Sequence, residues 1–218
     1  MAKAPVVEES EFRHALKVAA VTGQSKERDV ALLWVAYGTG MMPNELAKLT
    51  VGDYLTADGT LRAESQVRPE IAFNGVARPL YWSNKGVVSA LDSYLEARIK
   101  YGYGMGALER YRGLNPESPL FLAVDGKPFT FTRRVTPSGQ ESYSCESLTQ
   151  IIRRLHTQAG VEAGSALSAR RTFGVRLHRK GYDLRHIQVL LGVQSLTAVK
   201  RMVDADPVRL GAIVARAI

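Results

Sequence analysis

The chain has 218 residues, of which 45% are hydrophobic and 23% charged, which is ordinary for a folded globular protein with a substantial core. Its one cysteine, Cys145, excludes a disulfide framework and a cysteine-rich zinc site, and suits a reducing cytoplasm. The N-terminal residues lack the apolar stretch of a signal peptide, and the longest apolar run, Val30 to Tyr37, is too short to span a bilayer. We therefore expect a cytoplasmic protein that does not bind membranes.

The net charge of +8 is concentrated in one segment. Residues 1–126 carry 14 Lys and Arg against 15 Asp and Glu, residues 127–201 carry 13 against 4, and the rest are balanced. A segment with a net charge of +9 favours a polyanion such as nucleic acid, although a basic face that is merely solvated is the alternative. The four histidines show no metal-ligand spacing, so we expect no metal and no cofactor.

The first part of the chain is predicted to be helical. Residues 8–20 have the spacing of an amphipathic helix. The next helix, 25–37, is apolar on nearly all sides and should be the central buried one, with Ser25 as its N-cap. Gly38 to Gly40 end that helix, and Pro43 suits the start of a short helix that runs to about Leu49.

The middle of the chain has a different pattern. Residues 50–82 are rich in β-branched and aromatic side chains and are broken by turn dipeptides, which predicts a small antiparallel sheet with a hairpin at Asn74-Gly75. A helix follows over 83–101, and residues 129–144 are predicted to form a polar surface loop or hairpin. A series of helices completes the chain, over 145–158, 168–180, 183–191, 195–203 and 207–218. The predicted fold is mainly α with a small antiparallel β-sheet, in one domain spanning 1–218.

Three segments together resemble the catalytic domain of the tyrosine recombinases, or phage integrases. Thr39-Gly40-Met41-Met42-Pro43-Asn44-Glu45-Leu46 is similar to the family's Thr-Gly-x-Arg-x-x-Glu-Leu signature. Leu167-Ser168-Ala169-Arg170-Arg171-Thr172-Phe173 is similar to its His-x-x-Arg-His-Thr-Phe box, and the run from Gly181 to Gly192 resembles the approach to its Leu-Gly-His motif. The order and spacing agree over almost the whole chain, so the resemblance implies the recombinase fold and double-stranded DNA as partner.

The resemblance also assigns six catalytic positions. In the family a tyrosine hydroxyl attacks a DNA phosphate, two arginines and a His or Lys stabilise the transition state, and a hairpin lysine protonates the leaving oxygen. The second arginine is present as Arg170. The other positions fall on residues of different chemistry, namely Met42, the lysine-free stretch 71–75, Leu167, Val193 and, at the nucleophile, Met202.

On this basis we expect no catalytic residue and no enzyme activity. The expected function is that of a non-catalytic DNA-binding protein, either a transcriptional regulator or an accessory factor of a mobile element or plasmid, associated with the nucleoid. Two alternatives are a protein-interaction modulator of an active recombinase, and an active strand-transfer enzyme with a relocated nucleophile at Tyr182 or Tyr143. The expected DNA-binding residues are Arg170, Arg171, Arg176, Arg133, Arg134, Arg179, Lys180, Arg78, Lys200 and Arg201.

Several of these expectations have an alternative. Arg170 lies on an apolar helix face and needs an anionic partner, either a DNA phosphate or a carboxylate such as that of Glu45. The other basic residues of its helix are expected to contact phosphate or to be solvated, and Arg153, Arg154 and His156 are interpreted as a solvated face. The resemblance implies that the family's N-terminal DNA-binding domain is absent here. It also implies that the C-terminal helix, 207–218, packs onto a second copy of the chain or a partner recombinase.

Overall fold

A computed structural model describes residues 4–23, 25–135, 137, 139 and 141–204. Within these residues the protein is mainly helical, as predicted, and includes two small antiparallel sheets. The helices are α1 (Glu9–Thr22), α2 (Lys26–Thr39), α3 (Pro43–Lys48), α4 (Lys85–Tyr101), α5 (Glu146–Gln158), α6 (Ala166–Arg179), α7 (Leu184–Leu191) and α8 (Leu196–Val203). The predicted helix over 207–218 lies outside the described residues.

Helix α2 is the centre of the fold, as its nearly all-round apolar pattern predicts. It packs against α1, α4, α5 and α6, and most of its side chains are buried. Gly40 ends the helix in the left-handed conformation that glycine adopts without strain, and its N–H binds the carbonyl of Ala36. The chain therefore turns sharply into α3, which places Glu45 beside the C-terminal end of α2.

The first sheet pairs β1 (Glu64–Val67) with β2 (Arg78–Tyr81) in antiparallel register. The predicted antiparallel sheet is confirmed, but the predicted tight hairpin at Asn74-Gly75 is wrong, because ten residues join the two strands. The connection begins with helical turns, in which the N–H groups of Ile71 and Ala72 bind the carbonyl of Arg68. Asn74-Gly75 does form a turn, in which the Gly75 N–H binds the carbonyl of Ala72, but the turn lies within the connection, and the Asn74 side chain donates to the carbonyl of Gly192.

The second sheet, which we call the ribbon, pairs β3 (Thr132–Val135) with β4 (Glu141–Ser144). Seven of its eight strand residues are exposed and Ser144 is half-buried, so the ribbon projects from the body on both faces. This confirms the hairpin that was one of the two predictions for 129–144.

Helices α6, α7 and α8 form a smaller cluster beside the main core. The buried residues are Ile187, Leu191 and Val199, and Phe173 and Met202 are among the half-buried residues packed against them. Asp183 caps α7 through the N–H of Arg185, and Gly192 ends it in the left-handed conformation, as predicted. Among the described residues, no helix has both the length and the hydropathy needed to cross a bilayer.

Candidate functional site

Arg170 joins the three sequence segments that carry the family resemblance. From α6 its Nη1 donates to the carbonyl of Gly40, at 2.8 Å, and its Nη2 donates to the carbonyl of Leu191, at 2.6 Å. These two carbonyls lie at the C-terminal ends of α2 and α7, where backbone carbonyls have no hydrogen-bond partner within their own helix. One guanidinium therefore holds the ends of α2 and α7 against α6.

The environment of Arg170 is mostly closed to solvent. The side chain is 6% exposed, and its guanidinium carbon lies 4.8 Å from the centre of the Phe73 ring. Burial, together with the positive charge of Arg78, lowers the pKa of Arg170 to about 10, and Glu45 partly offsets this. The group is still a cation at neutral pH. Its hydrogen bonds go to backbone carbonyls, so the carboxylate of Glu45, which is bound elsewhere, is not its direct partner.

Glu45 is bound by a different arginine. Arg78, on β2, donates from Nη1 and Nη2 to the two carboxylate oxygens of Glu45, at 2.6 Å each, and both side chains are almost fully buried. The carboxylate also accepts the backbone N–H of Met42 at 2.7 Å and of Phe73 at 3.1 Å. Such a complete set of partners is what makes a buried charge pair tolerable. The resemblance placed a glutamate in the first motif, but the sequence did not show that Arg78 is its partner.

The structure places the family's other catalytic positions around this cluster. Met42 is half-buried and directly precedes α3, while Leu167 is 50% exposed in the first turn of α6. Val193 and Met202 are half-buried against the α6–α8 cluster.

Asn44 connects the cluster to the ribbon. Its side-chain amide donates to the carbonyl of Tyr143 at 2.6 Å, and its side-chain oxygen accepts the N–H of Cys145 at 2.8 Å. This two-bond bridge fixes the base of β4 beside α3. Sequence reasoning missed this role of Asn44, because its partners Tyr143 and Cys145 are 99 and 101 positions away along the chain, and such distant contacts leave no local sequence pattern.

The remaining arginines of α6 bind the N-terminal segment. Arg171 donates to the carbonyl of Ala4, and Arg176 donates to the carbonyl of Val7 and pairs with Glu9. Arg179 pairs with both oxygens of Glu8, at 2.9 and 3.0 Å. These contacts fix the segment before α1 onto α6, so these arginines are not simply solvated.

The exposed positive charge lies mainly on other elements. Of the 13 Lys and Arg in 127–201, nine are exposed, namely Lys127, Arg133, Arg134, Arg153, Arg179, Lys180, Arg185, Lys200 and Arg201. Arg133 pairs with Glu141 across the ribbon, and Arg134 pairs with Glu146 at 3.3 Å. Such exposed ion pairs are weak, so these arginines are available to a stronger anion. Among the described residues, no group of three or more His, Cys, Asp or Glu has the geometry of a metal site.

The predicted solvated face on α5 is wrong for two of its three residues. His156 is fully buried, with Nε2 2.6 Å from the hydroxyl of Tyr37, and burial lowers its pKa to about 4. Arg154 is half-buried and pairs with the buried Asp29 at 3.0 Å. Only Arg153 is exposed.

Comparison with known proteins supports the resemblance. The model of the phage integrase family matches residues 5–207. The tyrosine recombinase XerC of Roseiflexus sp. (strain RS-1) is 28% identical over 189 residues, which cover 84% of this chain and 51% of that protein. The tyrosine recombinase XerC of Herpetosiphon aurantiacus is 27% identical, over 82% of this chain and 48% of that protein. The chain therefore spans about half the length of these curated relatives.

Solved structures show the same fold. The XerA recombinase matches 99% of this chain and 66% of its own chain, with a TM-score of 0.67 at 21% identity. The XerH recombinase bound to a palindromic difH substrate matches 98% of this chain and 54% of its own, with a TM-score of 0.66 at 20% identity. The predicted fold is thereby confirmed.

The comparisons contradict one expectation outright. We expected no enzyme activity from the residues at positions 42, 167, 193 and 202 and from the lysine-free stretch 71–75. The relatives are named tyrosine recombinases, which are enzymes, and they match more than four-fifths of this chain. The expectation depended on those positions alone, and the activity for which the relatives are named overturns it.

Proposed function

Because the chain belongs to the phage integrase family, we propose that it binds duplex DNA and acts in DNA recombination. The observation that carries this proposal is the convergence of the three motif segments on Arg170, through its hydrogen bonds to Gly40 and Leu191. That contact brings the three motif segments together at one point of the fold. We favour recombination over transcription regulation because the curated relatives are recombinases.

The proposed DNA contacts are the basic residues on the exposed surface. Lys180, at the end of α6, and Lys200 and Arg201, on α8, are exposed, as is Arg134 on the ribbon, while the exposed Arg133 lies on the opposite ribbon face and pairs with Glu141. Contacts of this kind bind phosphates without reading sequence, and they explain why net charge is concentrated in 127–201. We assign Arg78, Arg170, Arg171, Arg176 and Arg179 an indirect role, since they hold together the elements that present this surface.

The proposal includes strand transfer, which requires a nucleophile. A tyrosine hydroxyl loses its proton, its oxygen bonds to the phosphorus, and the bond to the 5′ oxygen breaks as that oxygen takes up a proton. Methionine at position 202 has no such hydroxyl, so another tyrosine must supply it. Tyr143 and Tyr182 are 51% and 53% exposed, and we favour Tyr182, because the Tyr143 hydroxyl donates to Glu141, whose carboxylate would repel the phosphate under attack.

The experiment is a covalent-trapping assay. The protein is incubated with nicked suicide duplexes built on sequences that it selects from a random pool, and the products are separated under denaturing conditions. A covalent protein–DNA band that is lost in either Tyr143→Phe or Tyr182→Phe, and kept in Tyr101→Phe as control, supports the proposal and identifies the nucleophile. Sequence-selective binding without any covalent band, alone or mixed with a partner recombinase, contradicts the strand-transfer step.

Assembly belongs to the same proposal. Recombination joins two DNA sites, so we propose that the chain acts together with a second copy or a partner recombinase on the nucleoid. Crosslinking on a duplex with two selected sites tests this, since dimers should form on that duplex and not on one with a single site.

A further inference from the structure

We propose that the β3–β4 ribbon binds in the major groove of duplex DNA through the face that carries Thr132, Arg134 and Ser142. This inference rests on the proposed function, since it assigns one element of the protein to one groove of the DNA.

The ribbon has the dimensions of a groove-binding element. A two-stranded antiparallel ribbon fits the major groove, which is about 12 Å wide, and is one of the elements that proteins place there. The strands of this ribbon bury neither face against the protein, and an isolated two-stranded hairpin is marginally stable in water. A surface outside the chain would therefore stabilise it.

The two faces of the ribbon differ in chemistry. Residues directly opposite each other share a face, and Arg134 pairs with Ser142 while Thr132 pairs with Ser144. This face presents one cation, Arg134, and the two exposed hydroxyls of Thr132 and Ser142, since the Ser144 hydroxyl is buried. The opposite face carries Arg133 and Tyr143, but also Glu141, whose carboxylate would repel phosphate. The face with Arg134 is therefore the one that suits DNA.

Arg134 is available for a new partner. Its contact with Glu146 is 3.3 Å long, and the two side chains are 64% and 46% exposed. An ion pair of this exposure contributes little to stability. A guanidinium that leaves it gains two parallel hydrogen bonds to the O6 and N7 acceptors of guanine, while hydroxyls such as those of Thr132 and Ser142 bind bases or phosphates.

The base of the ribbon is fixed to the recombinase core. The Asn44 side chain bonds the backbone on both sides of Ser144, at Tyr143 and Cys145, and Asn44 is adjacent to Glu45 in α3. Glu45 in turn holds Arg78. The ribbon thus projects from the place where the family motifs meet, so DNA that covers the Arg170 cluster lies within its reach.

The first test compares variants on a 30-base-pair mixed-sequence duplex, with affinity measured by fluorescence anisotropy across salt. Arg134→Ala and Ser142→Ala together should weaken binding about fivefold to tenfold with little change in the salt slope, because Arg134 is proposed to bind a base edge and not a phosphate. Arg110→Ala removes an exposed arginine from a different element and should cause a smaller change than the ribbon variant. Circular dichroism should show that the unmodified protein, the ribbon double variant and Arg110→Ala are equally folded, since the replaced side chains are exposed.

The second test identifies the groove. Replacing the purines of the duplex by 7-deazapurines removes the N7 acceptors of the major groove, and should weaken the unmodified protein severalfold but leave the Arg134→Ala variant unchanged. Netropsin, which fills the minor groove, should not displace the protein. The inference is overturned if the ribbon variant binds like Arg110→Ala, or if netropsin competes and the deazapurines have no effect. If the unmodified protein does not bind the duplex at all, the proposed function itself is wrong.

Discussion

Arg78 and Glu45 form two parallel 2.6 Å hydrogen bonds in a site where neither side chain is more than 2% exposed. The pair lies beside Arg170, whose pKa is lowered by burial and by the charge of Arg78. One carboxylate therefore compensates two buried cations, so the stability of this region depends on Glu45 more than on either arginine.

Glu45→Gln should destabilise the protein by about 3–5 kcal/mol, since it leaves buried cations without a counter-charge. Urea unfolding at neutral pH measures the change. The double variant Glu45→Gln with Arg78→Met should recover part of the loss, because it removes one of the uncompensated charges. A single variant as stable as the parent would show that the carboxylate does not compensate these cations.

Arg170→Lys should lower stability by roughly 2–3 kcal/mol in the absence of DNA, because a lysine cannot bind the carbonyls of Gly40 and Leu191 with the same fork. Arg153→Lys, on the exposed face of α5, is the matched control and should be neutral. If Arg170→Lys leaves stability unchanged and only weakens DNA binding, Arg170 binds phosphate directly and is not a structural clamp.

Stability should fall as pH decreases from about 6.5 to about 4, because of His156. Burial lowers its folded-state pKa to about 4, so the unfolded chain binds the proton first as pH decreases through 6.5. The stability present above pH 6.5 is lost across this window, by on the order of 3 kcal/mol. Urea unfolding at several pH values should give a smaller decrease for His156→Gln than for the parent, while His14→Gln, in α1, serves as control. Equal pH dependence in the parent and in His156→Gln would refute this assignment.

Gly192→Ala should destabilise the protein by about 1–2 kcal/mol or more. Gly192 has a positive φ of 62°, and an added Cβ would lie 2.8 Å from Cδ of Arg78. Gly181→Ala is the control, since Gly181 also has a positive φ but has open space around it. Gly192→Ala should have a lower melting temperature than Gly181→Ala, and the difference measures the cost of the clash with Arg78. Equal melting temperatures would mean that the Arg78 side chain shifts to accommodate the added Cβ without cost.

The sequence predicted the helices well, because their signals are local. The apolar α2, the Asp183 cap and the Gly192 terminus all follow from residues within one element. The sequence indicated the site only through its resemblance to the family, and it did not reveal which side chains pair with each other there. Arg78–Glu45 and Asn44–Tyr143 join residues 33 and 99 positions apart, and such pairings have no periodicity that a sequence displays. The burial of His156 was missed because a polar side chain next to two arginines has the composition of a solvated face.

The most direct test of the account is the salt dependence of duplex binding by the intact chain. The proposed surface should give an affinity that falls with salt, with a log–log slope of magnitude about 4 or more. Lys180→Ala with Lys200→Ala should lower that slope by about two units, while Arg13→Ala, a 73% exposed arginine on α1, should lower it less. Binding that is absent at low salt, or that keeps the same slope when both lysines are replaced, would contradict DNA recognition through this surface.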